Sequence, residues 1–252
     1  MAAVAALVFC APGYPGGAGD AQPFLDQFAS ATVASAGWPA GSLTAIYDPS
    51  EQGGLEKLKG SDAVLAFVPY PFFVQYAAEL HLTPLAQADM AGLGPQERWT
   101  LVAKNGRVAG PASLAGYTIV SVAGYAPEFV RHSALQGWAL PPDVKIESTG
   151  QILSALRRAA AGEQVVVLLD QTQAAALPTL PFAAELKAVM QSPPLPVALV
   201  AVVDSRLPAA RAKSLQAGLL KMGHAAGGGD TLGPLHLQGF VLPQLPGHTA
   251  AP

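Results

Sequence analysis

Three short runs of this sequence consist almost wholly of apolar residues, and each is followed by a turn and a helix-like stretch. The runs cover residues 5–10, 63–68 and 164–169. A strand with no polar face must be covered on both sides, which is the arrangement of a parallel sheet between layers of helices. Because strand-like and helix-like stretches alternate along the chain, the sequence predicts an α/β fold.

The alternation occurs in two series of about a hundred residues each, which suggests two lobes. Strand-like runs at 99–104 and 195–203 bracket the second series, and an amphipathic helix at 208–222 follows it. We therefore expect each lobe to be a sheet flanked by helices. Lobe one is discontinuous, 1–102 with 198–252, lobe two is 103–197, and hinges are expected at 104–106 and 203–205.

The composition excludes several classes of protein and partner. The chain has 252 residues, of which 51% are hydrophobic and 12% charged, so it can bury a sizeable core and is not disordered as a whole. Its net charge is −3, from 14 basic and 17 acidic residues. Nucleic acid demands a basic surface, so we expect no nucleic-acid partner. No apolar run reaches about 18 residues, so we expect no integral membrane segment.

Residues that usually carry chemistry are few and scattered. Cys10 is the only cysteine, and the 5 histidines include no pair with metal-ligand spacing. The Gly17-Ala18-Gly19 loop lacks the third glycine of a dinucleotide site, and no G-x-S-x-G elbow occurs. We therefore expect no metal, no cofactor and no catalytic residue. Cys10 is predicted to be structural, and His132 is predicted to lie on the surface, with a role as a base as the alternative.

Four places where a predicted strand ends and a helix begins share one feature: each carries residues suited to a ligand. In open α/β sheets, ligands bind at the carboxyl ends of the strands. Free N–H groups at helix starts favour an anion or a polar group there. The four junctions are residues 11–16, 69–72, 124–127 and 170–172.

The side chains at these junctions are the candidate binding residues. Three junctions carry a tyrosine, and the fourth carries a carboxylate and an amide: Tyr14, Tyr70, Tyr125, Asp170 and Gln171. A tyrosine has an apolar ring and one polar tip, which suits the wall of a cleft. The alternative is that the tyrosines fill loops near a domain interface. Asp170 either caps its helix or faces a ligand, and both roles are compatible.

Four segments, in this order and spacing, resemble one known family. They read SDAVLAFVPY at 61–70, SLAGYTIV at 113–120, ALRRAAAG at 155–162 and LGPLHLQGFV at 232–241. The chain resembles the substrate-binding proteins of phosphate/phosphite/phosphonate-type ABC transporters, which have the type 2 periplasmic-binding-protein fold. The resemblance extends over nearly the whole chain.

The resemblance implies two α/β lobes joined by two crossing strands, which close on a small molecule in the cleft between them. It implies binding without turnover, delivery to an ABC permease and a periplasmic or otherwise exported protein, which we expect to be a monomer. The binding residues that it carries over lie at the matching loops: Tyr14, Pro69, Tyr70, Gly124, Tyr125, Ala126, Asp170 and Gln171.

The chain also departs from the family's pattern. Phosphonate binders of this kind place Ser or Thr hydroxyls at the start of the lobe-two helix, whereas residues 123–127 offer only the hydroxyl of Tyr125. Pro127 removes one N–H donor, and the matching loops contain no lysine or arginine. A less charged, partly aromatic or apolar ligand therefore stands beside a phosphonate. A degenerate binder, an enzyme with Asp170 as its acid or base, and a ligand-sensing domain on the same fold are also compatible with the sequence.

Overall fold

The computed structural model describes residues 4–13, 18–223 and 231–246. The chain forms two compact units. Unit 1 comprises Met1–Gln96 and Pro196–Pro252, and unit 2 comprises Glu97–Leu195. The chain therefore passes from one unit to the other at 96–97 and returns at 195–196, whereas the hinges expected at 104–106 and 203–205 lie inside unit 2 and unit 1.

The secondary structure alternates as expected over most of the chain. Within the described ranges the strands, in chain order, are β1 (Ala5–Cys10), β2 (Leu43–Asp48), β3 (Ala63–Pro69), β4 (Thr83–Met90), β5 (Gln96–Glu97), β6 (Thr100–Lys104), β7 (Thr118–Ser121), β8 (Lys145–Ser148), β9 (Val165–Leu169), β10 (Leu186–Gln191), β11 (Leu195–Pro196), β12 (Ala198–Val202) and β13 (Leu237–Val241). The α-helices are α1 (Ala18–Ser35), α2 (Glu51–Lys59), α3 (Tyr70–Tyr76), α4 (Pro127–Phe129), α5 (Ile152–Ala161), α6 (Gln171–Ala176) and α7 (Ala209–Met222).

The main sheet of unit 1 has the strand order β13-β4-β12-β3-β1-β2. β1 pairs in parallel with both β2 and β3, whereas β12, β4 and β13 continue the sheet with antiparallel pairs. The expected α/β fold is confirmed, but the sheet is mixed rather than wholly parallel. The reason is that β12 and β13 come from the returning part of the chain and run against their neighbours.

Both faces of the central strands in unit 1 are buried. On one face, Phe9, Phe28, Phe67 and Phe240 form an aromatic cluster, with the Phe9 and Phe67 ring centroids 4.9 Å apart. Helices α1 and α7 cover this face. On the other face, α2 packs on β1 so closely that a Cβ on Gly54 would overlap the Cys10 thiol. The close approach therefore requires glycine at position 54. Because helices cover β1 on both faces, all of the run 5–10 is apolar.

Unit 2 contains a second sheet, with the order β10-β6-β9-β7-β8. β7 pairs in parallel with β8 and β9, and β6 joins β9 and β10 by antiparallel pairs. All five residues of β9 are buried. Val165, Val167 and Leu169 pack with α5 on one face of the sheet. Because side chains alternate along a strand, Val166 and Leu168 lie on the opposite face.

Some elements differ from those predicted. The expected helix through residue 136 begins with the three residues of α4 and continues as a turn of π-helix at Val130–Ala134. The strand expected at 195–203 is divided into β11 and β12. β4 was not expected, because Pro84, Gln87 and Asp89 interrupt its apolar pattern. Gln87 is buried there because its amide donates to Pro95 O and accepts from Gln244 N.

Two phenylalanines on α1 give a matched test of this core. Phe28 is 0% exposed inside the aromatic cluster, whereas Phe24 on the same helix is 43% exposed. We expect Phe28→Ala to lower the free energy of unfolding by about 3–5 kcal/mol through the cavity it leaves. Phe24→Ala should lower it by about 1 kcal/mol or less, measured by denaturant unfolding. Equal losses would contradict the packing described.

The thiol of Cys10 gives a second test. Burial raises the pKa of Cys10 to about 12, and the carboxylates of Asp48 and Glu51 add to the rise. Because the thiolate is the reactive form, native protein should not react with a disulfide reagent at neutral pH, while denatured protein should react at once. Rapid labelling of the native protein would contradict a structural role for Cys10.

Candidate functional site

In each unit, the candidate binding residues lie at the carboxyl ends of adjacent parallel strands. β1 and β3 are neighbours in unit 1, where Pro69 ends β3 and Tyr70 begins α3. β7 and β9 are neighbours in unit 2, with residues 124–126 after β7 and Asp170 and Gln171 after β9. In unit 2 the structure thus places the candidates of two junctions at one edge of the sheet. Tyr14 lies outside the described residues.

The junction after β3 is tightly fixed. Pro69 ends the strand with extended backbone, and Tyr70 N donates to Val197 O at 3.0 Å as α3 begins. The Tyr70 ring is buried and stacks on Phe73 with a centroid distance of 6.3 Å. Tyr70 is therefore held in one orientation by packing.

The ends of β1 and β2 carry a group of charged residues that sequence reasoning missed. Asp48 accepts hydrogen bonds from Ser50 N and Ser50 Oγ and pairs with Lys57. Burial alone would raise the pKa of Asp48, but the hydrogen bonds from Lys57 and Ser50 lower it below its usual range. Glu51 accepts the hydroxyl of Tyr76. These carboxylates of unit 1 have their partners within the unit.

The junction after β7 is built on close backbone packing. Ser121 Oγ donates to Leu168 O of the neighbouring strand and accepts from Ala123 N, which fixes the turn. A Cβ on Gly124 would overlap Glu147 O, so this position requires glycine. Ala126 is fully buried and Tyr125 is half-buried. Of the three candidate residues in this loop, Tyr125 is thus the one that is partly exposed.

Asp170 caps α6, which is one of the two roles predicted for it. Its Oδ1 accepts from Gln173 N at 2.7 Å, and the Gln173 side chain accepts from Asp170 N, which forms a capping box. Burial raises the pKa of Asp170, while the N–H groups of Gln173 and Thr172 oppose the rise. The capping role is confirmed.

Glu97 adjoins the start of α6 and was not predicted as a site residue. Its Oε2 accepts from Gln171 N at 3.5 Å, and the Gln171 side chain accepts from Arg98 N at 3.1 Å. These two bonds connect residues 97–98, where the chain enters unit 2, to the start of α6. Glu97 and Asp170 are 3% and 7% exposed, whereas Gln171 is exposed.

Glu97 is the residue of this site with the most altered ionisation. Burial raises the pKa of Glu97 to about 8, and the charge of Asp170 adds to the rise. The Gln171 N–H and, more weakly, the Trp99 indole N–H oppose it. The Trp99 indole N–H and Glu97 Oε1 are close to each other, but the geometry between them is too poor for a full hydrogen bond, and neither atom has another partner among the described residues.

The first three N–H groups of α6 therefore face carboxylates of the chain itself. Gln171 N donates to Glu97, Gln173 N donates to Asp170, and the Thr172 N–H also stabilises the charged form of Asp170. The expectation that this helix start offers free N–H groups to an anion is wrong. The sequence shows Asp170 at the strand end, but it gives no sign that Glu97 packs beside it.

Other places in the chain offer less to a ligand. His132 is exposed and lies 3.4 Å from the Glu128 carboxylate, beside a surface pocket of about 440 Å³ lined by Arg131 and Trp138. In the part of the chain that the structure describes, no three His, Cys, Asp or Glu side chains form a group that could hold a metal ion. No helix of the described residues is both long and apolar enough to cross a membrane.

The raised pKa of Glu97 predicts how stability depends on pH. The folded state binds the Glu97 proton up to about pH 8, whereas the unfolded chain releases it near 4.5. The free energy of unfolding should therefore fall as the pH rises between these values, because the folded chain holds more protons than the unfolded chain. Glu97→Gln should remove most of that fall, measured by denaturant unfolding at a series of pH values. An unchanged pH dependence would contradict this assignment.

Sequence comparison identifies no family for this chain. No protein-family model matches it. No curated protein matches it in sequence either.

Solved structures, in contrast, match it over nearly its whole length. XAC2383 from Xanthomonas citri, solved with ATP bound, is 15% identical with a TM-score of 0.68, covering 97% of this chain and 92% of that chain. PhnD1 from Prochlorococcus marinus, in complex with methylphosphonate, is 12% identical with a TM-score of 0.56, covering 96% and 93%. A binding-protein component of an ABC phosphonate transporter from Pseudomonas aeruginosa is 15% identical with a TM-score of 0.54, covering 94% and 80%.

At these identities the likeness concerns the fold, not the ligand. The two sheets flanked by helices agree with this likeness in fold. The chain also passes between the units twice, at 96–97 and at 195–196. The chain has the α/β fold of the two-lobed periplasmic binding proteins.

Proposed function

We propose that this protein is a solute-binding protein, which captures a small molecule and releases it unaltered. The observation that carries the proposal is the fold, shared over 94–97% of the chain with binding proteins such as the phosphonate transporter component and with XAC2383. By analogy with such proteins, it serves an ABC-type uptake system outside the cytoplasm as a monomer. Fold alone does not fix function, so the site carries the rest of the argument.

The proposed contacts come from strand ends in both units: Tyr14, Pro69, Tyr70, Gly124, Tyr125, Ala126, Asp170 and Gln171. Support comes from the sheet topology, because the strands that precede these residues are adjacent and parallel within each unit. The carboxyl edge of such strands is where open α/β sheets bind ligands. Tyr125 and Gln171 supply the accessible side chains of unit 2.

Binding without turnover fits the state of the polar groups. The enzyme alternative relied on Asp170 as an acid or base, and Asp170 is engaged by the N–H groups of α6. Cys10 is buried with its pKa raised, which makes it a poor nucleophile. A phosphonate as the particular ligand has no support from this site, because the N–H groups at the start of α6 already have carboxylate acceptors.

Native mass spectrometry of gently purified protein tests the proposal. A solute-binding protein should carry a small molecule of defined mass, and that compound, added back to stripped protein, should raise the unfolding midpoint. If neither a bound molecule nor a stabilising compound is found in a broad metabolite screen, the proposal fails.

Two tyrosines at opposite ends of β7 provide a matched comparison. Tyr125 follows the strand and Tyr117 precedes it, and both are half-buried. With the compound identified above, Tyr125→Ala should weaken binding about tenfold, the equivalent of about 1.4 kcal/mol. Tyr117→Ala should leave the affinity within about twofold. Titration calorimetry measures both, and equal effects of the two substitutions would contradict a site at the carboxyl end of β7.

A further inference from the structure

We infer that unit 2 has a second binding site, the surface pocket lined by residues 131–132 and 136–140, which takes a small organic anion with a flat apolar part, such as an aromatic carboxylate. Arg131 binds the anionic group, and the ring of Trp138 packs against the flat part. The lining residues are not among those of the proposed solute site. The inference therefore goes beyond the proposed function and does not depend on it.

The pocket is formed where the helical stretch that begins with α4 departs from regular α-helix. Leu135 N donates to Val130 O at 3.0 Å, five residues back, which is the hydrogen bond of a π-helix. Trp138 N then donates to Leu135 O at 2.9 Å, across a turn in which Gly137 has a φ of 85°. Glycine suits this left-handed position, and the turn closes the pocket on its other side.

The walls of the pocket are held in place by burial. Val130, Ala134 and Leu135 are fully buried, so the π-helical turn is anchored in unit 2. Val144 is buried as well, and its N–H donates to Pro141 O at 3.2 Å. The pocket has a volume of about 440 Å³, which is enough for a small organic molecule. Because the walls are preformed, a ligand pays little to order them.

Arg131 places a positive charge on the wall of this pocket. Its Nη2 donates to Val144 O at 3.2 Å, which holds the half-buried guanidinium in one orientation. Arg131 forms no ion pair with any residue that the structure describes. A guanidinium has five N–H donors in a planar fork, which binds a carboxylate through two parallel hydrogen bonds. Donors therefore remain for an anion in the pocket.

The other charged groups near the pocket leave this charge in place. His132 lies 3.4 Å from the Glu128 carboxylate, so these two side chains form a pair of their own. Of the described residues that line the pocket, none is an aspartate or a glutamate. Asp143 is exposed and lies outside the lining. A cationic ligand would be repelled by Arg131, whereas an anion is attracted.

Trp138 supplies the apolar surface of the site. Its ring is half-buried, and within the described ranges it stacks on no aromatic ring and lies under no cation. The other tryptophans are engaged, because Trp99 packs against Phe129 and Trp38 lies under the Arg211 guanidinium. A large aromatic ring beside a pocket suits a flat apolar group. A ligand with both a carboxylate and a ring uses both features of the pocket.

Titration with matched probes tests the inference. The probes are benzoate and naphthoate, their uncharged amides, and inorganic phosphate. The three tryptophan indole N–H signals in an NMR spectrum of isotope-labelled protein report where each probe binds, and Trp138→Phe assigns the signal of Trp138. We expect the carboxylates to shift the Trp138 signal saturably. They should bind at least about tenfold more tightly than the amides, which lack the charge that strengthens hydrogen bonds to arginine.

Variants assign the two contacts. Arg131→Gln should weaken carboxylate binding about tenfold or more and leave amide binding nearly unchanged, because it removes the charged fork. Trp138→Ala should weaken the binding of both kinds of probe about tenfold. Arg157→Gln is the matched control, since Arg157 is an exposed arginine of the same unit, and it should leave both affinities within about twofold. Circular dichroism checks that each variant is folded.

Several results would overturn the inference, and the comparison of probes on the unaltered protein needs no variant. Carboxylates that bind no more tightly than their amides would show apolar contact alone. Phosphate that binds as tightly as the carboxylates, or an equal loss in Arg157→Gln and Arg131→Gln, would show general charge attraction. No saturable shift of the Trp138 signal by either carboxylate up to about 10 mM would show no site. All of these results leave the proposed function standing, because it is tested by the solute that the purified protein carries.

Discussion

Burial on both faces of the central strands is the constraint on which the rest of this structure depends. β1 and β9 have no polar side for water, so helices must cover each sheet on both faces. Both faces of each sheet are then buried by packing and are not available to a ligand. What remains for recognition are the strand ends and the loops that lead into the helices, and the candidate residues that the structure describes lie there.

The two units satisfy the charges at their strand ends in different ways. In unit 1, Asp48 is matched by Lys57 and Ser50, and Glu51 by Tyr76, so these carboxylates are satisfied within the unit. In unit 2, Glu97 and Asp170 share the N–H groups of one short helix and have no cation among the described residues. The fold is shared with phosphonate-binding proteins, but the start of α6 differs from a free anion site because its N–H groups already have carboxylate acceptors.

Local sequence was enough to predict the parts of the structure that depend on neighbouring residues. The uniformly apolar runs predicted buried strands, and an aspartate after such a run predicted the cap of α6. Glu97 could not be predicted, because its partner Gln171 lies 74 residues along the chain. β4 could not be predicted either, since the polar Gln87 in it is tolerated only through bonds to Pro95 and Gln244 that the fold creates.

A high-resolution crystal structure of protein purified from expressing cells without unfolding tests the central claim most directly. The account predicts electron density for a small molecule at the carboxyl edge of β7 and β9, in contact with Tyr125 or Gln171. A carboxyl edge that holds only ordered water, in protein that binds no solute in solution, would contradict it.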